Sequence, residues 1–270
     1  MYRKGCCVPG GSFMPQGVAS VETAYDIMKG GYDTAMKHGY DFAEATVGLI
    51  MKLSAQELDR AVENKLTFEV ANSFIPPTLP ICENMKNSPE KLEEYVDEAM
   101  RRMNLLGCGM VIFGSGGARR IPDGMDRAEA EALLDKFIIM CNKMAVKHNV
   151  IVALEPLNTG ETNYMNSVEA GYEIAKRLNL SNVKLLADAY HMSKESEPLE
   201  ILNKVQDILV HVHVSEPDRS YPGKTGGEYL RKFAKALEST TYSARVSVEC
   251  TYADFPTDSG EAYKFVAEVF

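Results

Sequence analysis

Eight times along this chain a short apolar run precedes a longer stretch with helical periodicity. That alternation constrains the fold more than any other feature, because strands separated by helices pair in parallel and are covered on both faces. The strand-like runs fall at residues 2–8, 42–47, 67–72, 110–113, 151–155, 183–188, 209–213 and 245–249. Between them lie predicted helices over residues 20–38, stopped by Gly39, and from the capping box Ser54-Ala-Gln-Glu57. A third runs from Ser88-Pro89, with Ser88 as N-cap, to about 106. Further helices are predicted at 127–148, 167–178, 198–205 and 229–237, with one more at the C-terminus. Turn chemistry at Pro9-Gly10-Gly11 ends the first run, and Pro76-Pro77 follows the third. Eight such units in 270 residues fit an α/β fold of the closed (β/α)₈ TIM barrel kind, with residues 1–270 as one domain.

Four of the eight runs finish alike. Ile151-Val-Ala-Leu-Glu155, Val183-Lys-Leu-Leu-Ala-Asp188, Leu209-Val-His-Val-His213 and Arg245-Val-Ser-Val-Glu249 each end on a side chain able to bind a metal. The intervals of 33, 25 and 36 residues are one strand–helix unit each, so a barrel sets the four on neighbouring strands at its C-terminal mouth. Side-chain alternation is consistent with this. Glu155 shares its face with Ala153 and Ile151, Glu249 with Ser247, and His213 with His211, which lies one layer deeper. Three carboxylates and an imidazole without a thiolate favour a hard divalent ion, Mn²⁺ or Mg²⁺ with Co²⁺ also admissible, over Zn²⁺.

Other polar residues lie near these strand ends. His191, three residues past Asp188, is placed at the mouth as a substrate contact, and His211 is expected to support a ligand from behind. Arg219 and Glu161 lie in loops six residues past His213 and Glu155, positions that suit contacts to substrate oxygens or to solvent. Gly114-Ser-Gly-Gly117 with Arg119-Arg120 reads either as an anion cradle or as a flexible loop. Whether Lys224 and Glu44 reach the mouth is left open by the sequence.

Composition narrows the partners. A net charge of −9 argues against nucleic acid and against an anionic membrane surface. No apolar run approaches the length of a bilayer span, and no N-terminal stretch reads as a leader. Six cysteines without a C-x-x-C pair are expected to be reduced thiols of a cytoplasmic protein.

Taken together, Glu155-Pro-Leu-Asn-x-x-Glu161-Thr-Asn163, Asp188-Ala-Tyr-His191-Met192, His211-Val-His213 with Arg219 and Pro222-Gly223, and Val248-Glu249 resemble the xylose-isomerase-like TIM-barrel superfamily. Within it they look most like the sugar phosphate isomerase/epimerase group that contains the ketose 3-epimerases. The resemblance is specific from about residue 150 to 250. It implies a divalent ion, usually Mn²⁺, on Glu155, Asp188, His213 and Glu249. It further implies that Glu155 and Glu249 serve as an acid–base pair and that Glu161, His191 and Arg219 hold a small sugar. A homodimer or homotetramer follows by analogy.

The expected reaction is epimerisation or isomerisation through an enediolate. A metal-dependent lyase or dehydratase acting on a keto-sugar, an inosose or an oxidised C-glycoside uses the same parts. The chain has no Trp, and no aromatic follows the fourth strand where the ketose epimerases line their sugar pocket. A DNA-repair phosphodiesterase is opposed by the acidic charge, since DNA affinity rests largely on phosphate neutralisation.

Overall fold

The computed structural model describes residues 2–10 and 23–270. Strands β1 (Arg3–Cys7), β2 (Phe42–Thr46), β3 (Val70–Asn72), β4 (Met110–Phe113), β5 (Ile151–Leu154), β6 (Val183–Asp188), β7 (Leu209–Val214) and β8 (Arg245–Val248) pair in parallel in chain order. β8 closes on β1, so the expected (β/α)₈ barrel is what the chain forms.

The helices are α1 (Ala24–His38), α2 (Val47–Lys52), α3 (Ala55–Glu63), α4 (Ile81–Asn87), α5 (Pro89–Leu105) and α6 (Gly116–Arg119) in the first half. The second half carries α7 (Arg127–His148), α8 (Val168–Leu178), α9 (Ala189–Lys194), α10 (Ile201–Val205), α11 (Glu228–Glu238) and α12 (Phe255–Val269). No described helix is long and apolar enough to cross a membrane.

Local chemistry accounts for most helix ends. Ser54 and Glu57 form the expected capping box at α3. α1 begins at Ala24, capped by Thr23; the part of the expected helix at residues 20–22 lies outside the described residues, as does Gly11 of the turn. Ser88 stands at the start of α5 but makes no side-chain cap. Its N–H instead bonds to Asn84 O at 2.7 Å and closes α4, a short helix with no counterpart among the helices predicted from the sequence. The third strand is shorter than its apolar run, keeping only Val70–Asn72.

The strands sort their side chains as parity requires. Val152, Leu154, Val212, Val214, Val246 and Val248 join the main core beneath the helices. Phe42, Val70, Met110, Ile112, Ala153 and Leu186 fill the barrel interior. Phe42 plugs the lower, N-terminal end, and a Cβ on Gly5 would run into its ring. Over that plug Glu69 bonds Arg3 Nη1 at 2.6 Å and Arg245 Nε at 3.1 Å, with both guanidiniums near the Phe42 face. The apolar filling ends one layer below the upper mouth, where polar side chains take over.

Candidate active site

The upper layer is built around the ends of four neighbouring strands. β5, β6, β7 and β8 deliver Glu155, Asp188, His213 and Glu249, whose donor atoms lie within 4.8 Å of one another. All four are at most 5% exposed. His213 Nδ1 sits between two of the acids, 3.2 Å from Glu155 Oε1 and 3.4 Å from Glu249 Oε2. Asp188 divides its oxygens: Oδ1 accepts from Tyr190 N at 2.7 Å and caps α9, while Oδ2 faces Arg219 Nη1 at 2.9 Å. Arg219 also pairs with Glu249. Its backbone is left-handed (φ 66°), and its guanidinium lies 4.5 Å over the Tyr190 ring. A non-glycine residue held in that region is strained, and such strain clusters at sites.

Donors around an ion at about 2.1 Å are separated by roughly 3 to 4.2 Å. The quartet's spread is close to that, and its oxygen-rich set suits a hard divalent cation. Three buried carboxylates against one guanidinium also leave negative charge that an ion would neutralise. The residues therefore fit such a group.

Behind the quartet runs a fully buried network in which His211 was expected from the sequence, Glu44 was left open by it, and Cys7 and Asn72 were not singled out. Glu44, from β2, faces His211 Nε2 at 2.7 Å and His213 Nε2 at 3.1 Å. Cys7 Sγ donates to Glu44 Oε2 at 3.4 Å, and Asn72 Nδ2 donates to Cys7 Sγ at 3.1 Å. Cys7, Glu44 and His213 thus form a second grouping of metal-binding residue types. Burial and the nearby Glu44 charge push the Cys7 thiol well up, so it serves Glu44 as a hydrogen-bond donor. His211 lies one layer down with its ring edge-on to His213, centroids 4.9 Å apart.

Burial and charge pull these groups in different directions. Burial, then the Glu249 charge, raises Glu155 above the usual carboxylate range. Burial opposes ionisation of Glu44 and Glu249 too, but it is outweighed. The His213 and His211 imidazoles hold Glu44 well down, and His213 with Arg219 holds Glu249 down. His213 is raised well above its ordinary value despite burial, because Glu249 and Glu44 face it. His211, where burial dominates, is lowered. Titratable groups driven apart in this way mark functional sites more often than structural ones.

Above the quartet opens a cavity of about 510 Å³ whose wall includes Glu155, Glu249, Glu161, His191 and Arg219. The three expected substrate contacts thus share one cavity with two members of the quartet. Lys224 is not among its lining residues.

The glycine-rich loop after β4 has a different role from an anion cradle. Arg119 is turned inward and fully buried, its Nη1 donating to Phe113 O at 3.1 Å and Glu155 O at 2.8 Å. Arg120 is exposed. Arg119 therefore ties the ends of β4 and β5 together. A Cβ on Gly114 would strike the Glu155 carboxylate, so glycine there makes room for it.

The chain belongs to the xylose isomerase-like TIM barrel family, whose family model matches residues 32–269. Among relatives it is 29% identical over 125 residues to a D-psicose 3-epimerase of Enterocloster bolteae, covering 46% of this chain and 40% of that one. It is 25% identical over 225 residues to an L-ribulose 3-epimerase of Methylomonas sp., covering 80% and 75%. A solved D-allulose 3-epimerase from Methylomonas sp., in complex with D-allulose, superposes with a TM-score of 0.82 at 20% identity, covering 100% of this chain and 97% of that one. That likeness is one of fold.

Proposed function

We propose that the protein is a divalent-metal-dependent sugar isomerase/epimerase of the ketose 3-epimerase type. The observation that carries this reading is the placement of Glu155, Asp188, His213 and Glu249 directly beneath a cavity lined by Glu161, His191 and Arg219. The relatives named for ketose 3-epimerisation support it.

Glu155, Asp188, His213 and Glu249 would hold the ion, with Mn²⁺ preferred and Mg²⁺ or Co²⁺ alternatives. When bound, the ion supplies Lewis-acid polarisation of a sugar carbonyl and its neighbouring hydroxyl, acidifying the adjacent C–H. Glu155 and Glu249 come from strands three apart and flank His213 Nδ1 on two sides. One takes the carbon-bound proton, the resulting enediolate is planar at that carbon, and the other returns a proton to the opposite face. Arg219, His191 and Glu161 orient the sugar oxygens from the cavity wall, and Glu44 fixes the His213 ring from behind.

The test is a panel of ketoses incubated in D₂O with chelator-stripped protein reloaded with Mn²⁺, followed by NMR of the recovered sugars. Deuterium at C3 together with a new epimer is expected, and neither should appear without the metal. Release of water or of an aglycone with no epimer formed would replace this reading with an eliminating lyase.

A further inference from the structure

The proposed site contains a hydrogen-bond arrangement that fixes which nitrogen of His191 carries a proton. The backbone N–H of Asn158 points at His191 Nδ1 from 3.2 Å, and the Asn158 side-chain Nδ2 approaches the same nitrogen at 2.9 Å. A backbone N–H can only donate, so Nδ1 is an acceptor and the ring proton resides on Nε2. The amide orientation agrees. Asn158 Oδ1 accepts from Gly160 N at 3.0 Å, which directs Nδ2 toward His191 and toward Glu161 Oε1, also at 3.0 Å. Rotating the amide by half a turn would set an NH₂ against the Gly160 N–H and an oxygen against the Glu161 carboxylate.

We infer that Asn158 is a positioning residue that holds His191 as an Nε2–H donor and yokes it to Glu161. Asn158 is buried and needs no contact with substrate for this role. His191 Nε2 lies 3.7 Å from Asp188 Oδ2, too far for a hydrogen bond, while its side chain lines the cavity. With Nδ1 engaged by two donors and Nε2 already protonated, His191 offers the substrate a donor and no base. Carbon-bound protons are thereby left to the carboxylates. Glu161, held by the Asn158 amide 3.9 Å from His191 Nδ1, sets an acceptor on the Nδ1 side of the ring, away from that donor.

The role as a substrate contact rests on the epimerase reading; the tautomer does not. The experiment is ¹⁵N–¹H correlation spectroscopy of [¹⁵N]histidine-labelled, Mg²⁺-loaded protein near neutral pH, with His191 assigned by loss of its signals in His191→Gln. A pyridine-type Nδ1 and a pyrrole-type Nε2 are expected, whereas a proton on Nδ1 overturns the inference. Asn158→Asp puts a pure acceptor against Nδ1 and should move that nitrogen into the protonated range. Where a sugar is turned over, KM should rise on the order of tenfold with kcat nearly unchanged. Asn158→Ala keeps the backbone donor, so the tautomer should persist while KM rises less. An unchanged His191 spectrum in a folded Asn158→Asp protein would remove the side chain from the account. The wild-type spectrum decides the tautomer even if that variant does not fold. The expected tautomer in a protein that turns over no sugar would sink the epimerase reading alone.

Discussion

The two ends of the barrel carry the same kinds of charged residue and use them in opposite ways. At the lower end one carboxylate, Glu69, stands between two guanidiniums, Arg3 and Arg245, over the Phe42 plug. At the upper end Glu44, Glu155, Asp188 and Glu249 face one guanidinium, Arg219, and the imidazoles of His191, His211 and His213. The lower carboxylate is partly exposed and more than matched by cations, whereas the upper carboxylates are buried and in excess. A matched cluster closes a barrel; an unmatched buried one costs stability and persists where it serves a function. The difference teaches which acids to treat as chemistry and which as architecture.

Substitutions that separate the two ends sharpen this contrast. The largest effect is expected from Glu249→Gln, which removes half of the proposed acid–base pair. Turnover should fall by about 10²–10⁴ in a steady-state assay, with a melting temperature equal to or above that of the wild type. A comparable loss of melting temperature would make Glu249 architectural and erase the distinction. Glu44→Gln comes next, since it loosens His213 without removing a proposed ligand. Metal affinity measured by titration should fall by about 10- to 100-fold with the fold retained.

At the lower end the signs reverse. Glu69→Gln should leave kcat intact and cost about 1 kcal/mol in a denaturant melt, a modest figure because its ion pairs are partly exposed. The smallest effect is the pH dependence of that cost. Burial of Glu69 is outweighed by its bonds to Arg3 and Arg245, which hold its carboxyl below the ordinary value of 4.5. Between the folded and unfolded values the unfolded chain binds more protons. The stability difference between wild type and Glu69→Gln should therefore be constant above about pH 4.5 and shrink as pH falls further. A difference that grew on acidification would contradict the assignment.

Much of the upper end was legible in the sequence because ligand-type residues closed four successive strands. Parity then put Glu155 with Ala153 and Glu249 with Ser247, and the interior packing has Ala153 where parity sets it. Glu44 was harder to read. It lies mid-strand on the same face as Phe42, which marks it as inward, but nothing local names its partners. His211 and His213 reach it from across the barrel, a contact fixed only by closure. An inward acid in one strand and two inward histidines in another were the available signal.

Arg119 stayed ambiguous in the sequence for a related reason. Two arginines after a glycine-rich turn suggest an anion site, and only the packing of β4 against β5 shows that one of them is spent on carbonyls. Short helices such as α4 and α9 escaped because a turn or two of helix has too little periodicity to read. Asn158 was visible within its motif, but its role appears only when the loops after β5 and β6 meet.

The proposed chemistry requires the upper cluster to be a cation site. The most direct measurement is calorimetric titration of Mn²⁺ into chelator-stripped wild type and Asp188→Asn, with thermal melts of both. One ion per chain and a raised melting temperature in the wild type are predicted, both largely lost in the variant. No binding by the wild type, or equal binding by a folded Asp188→Asn protein, would contradict the claim.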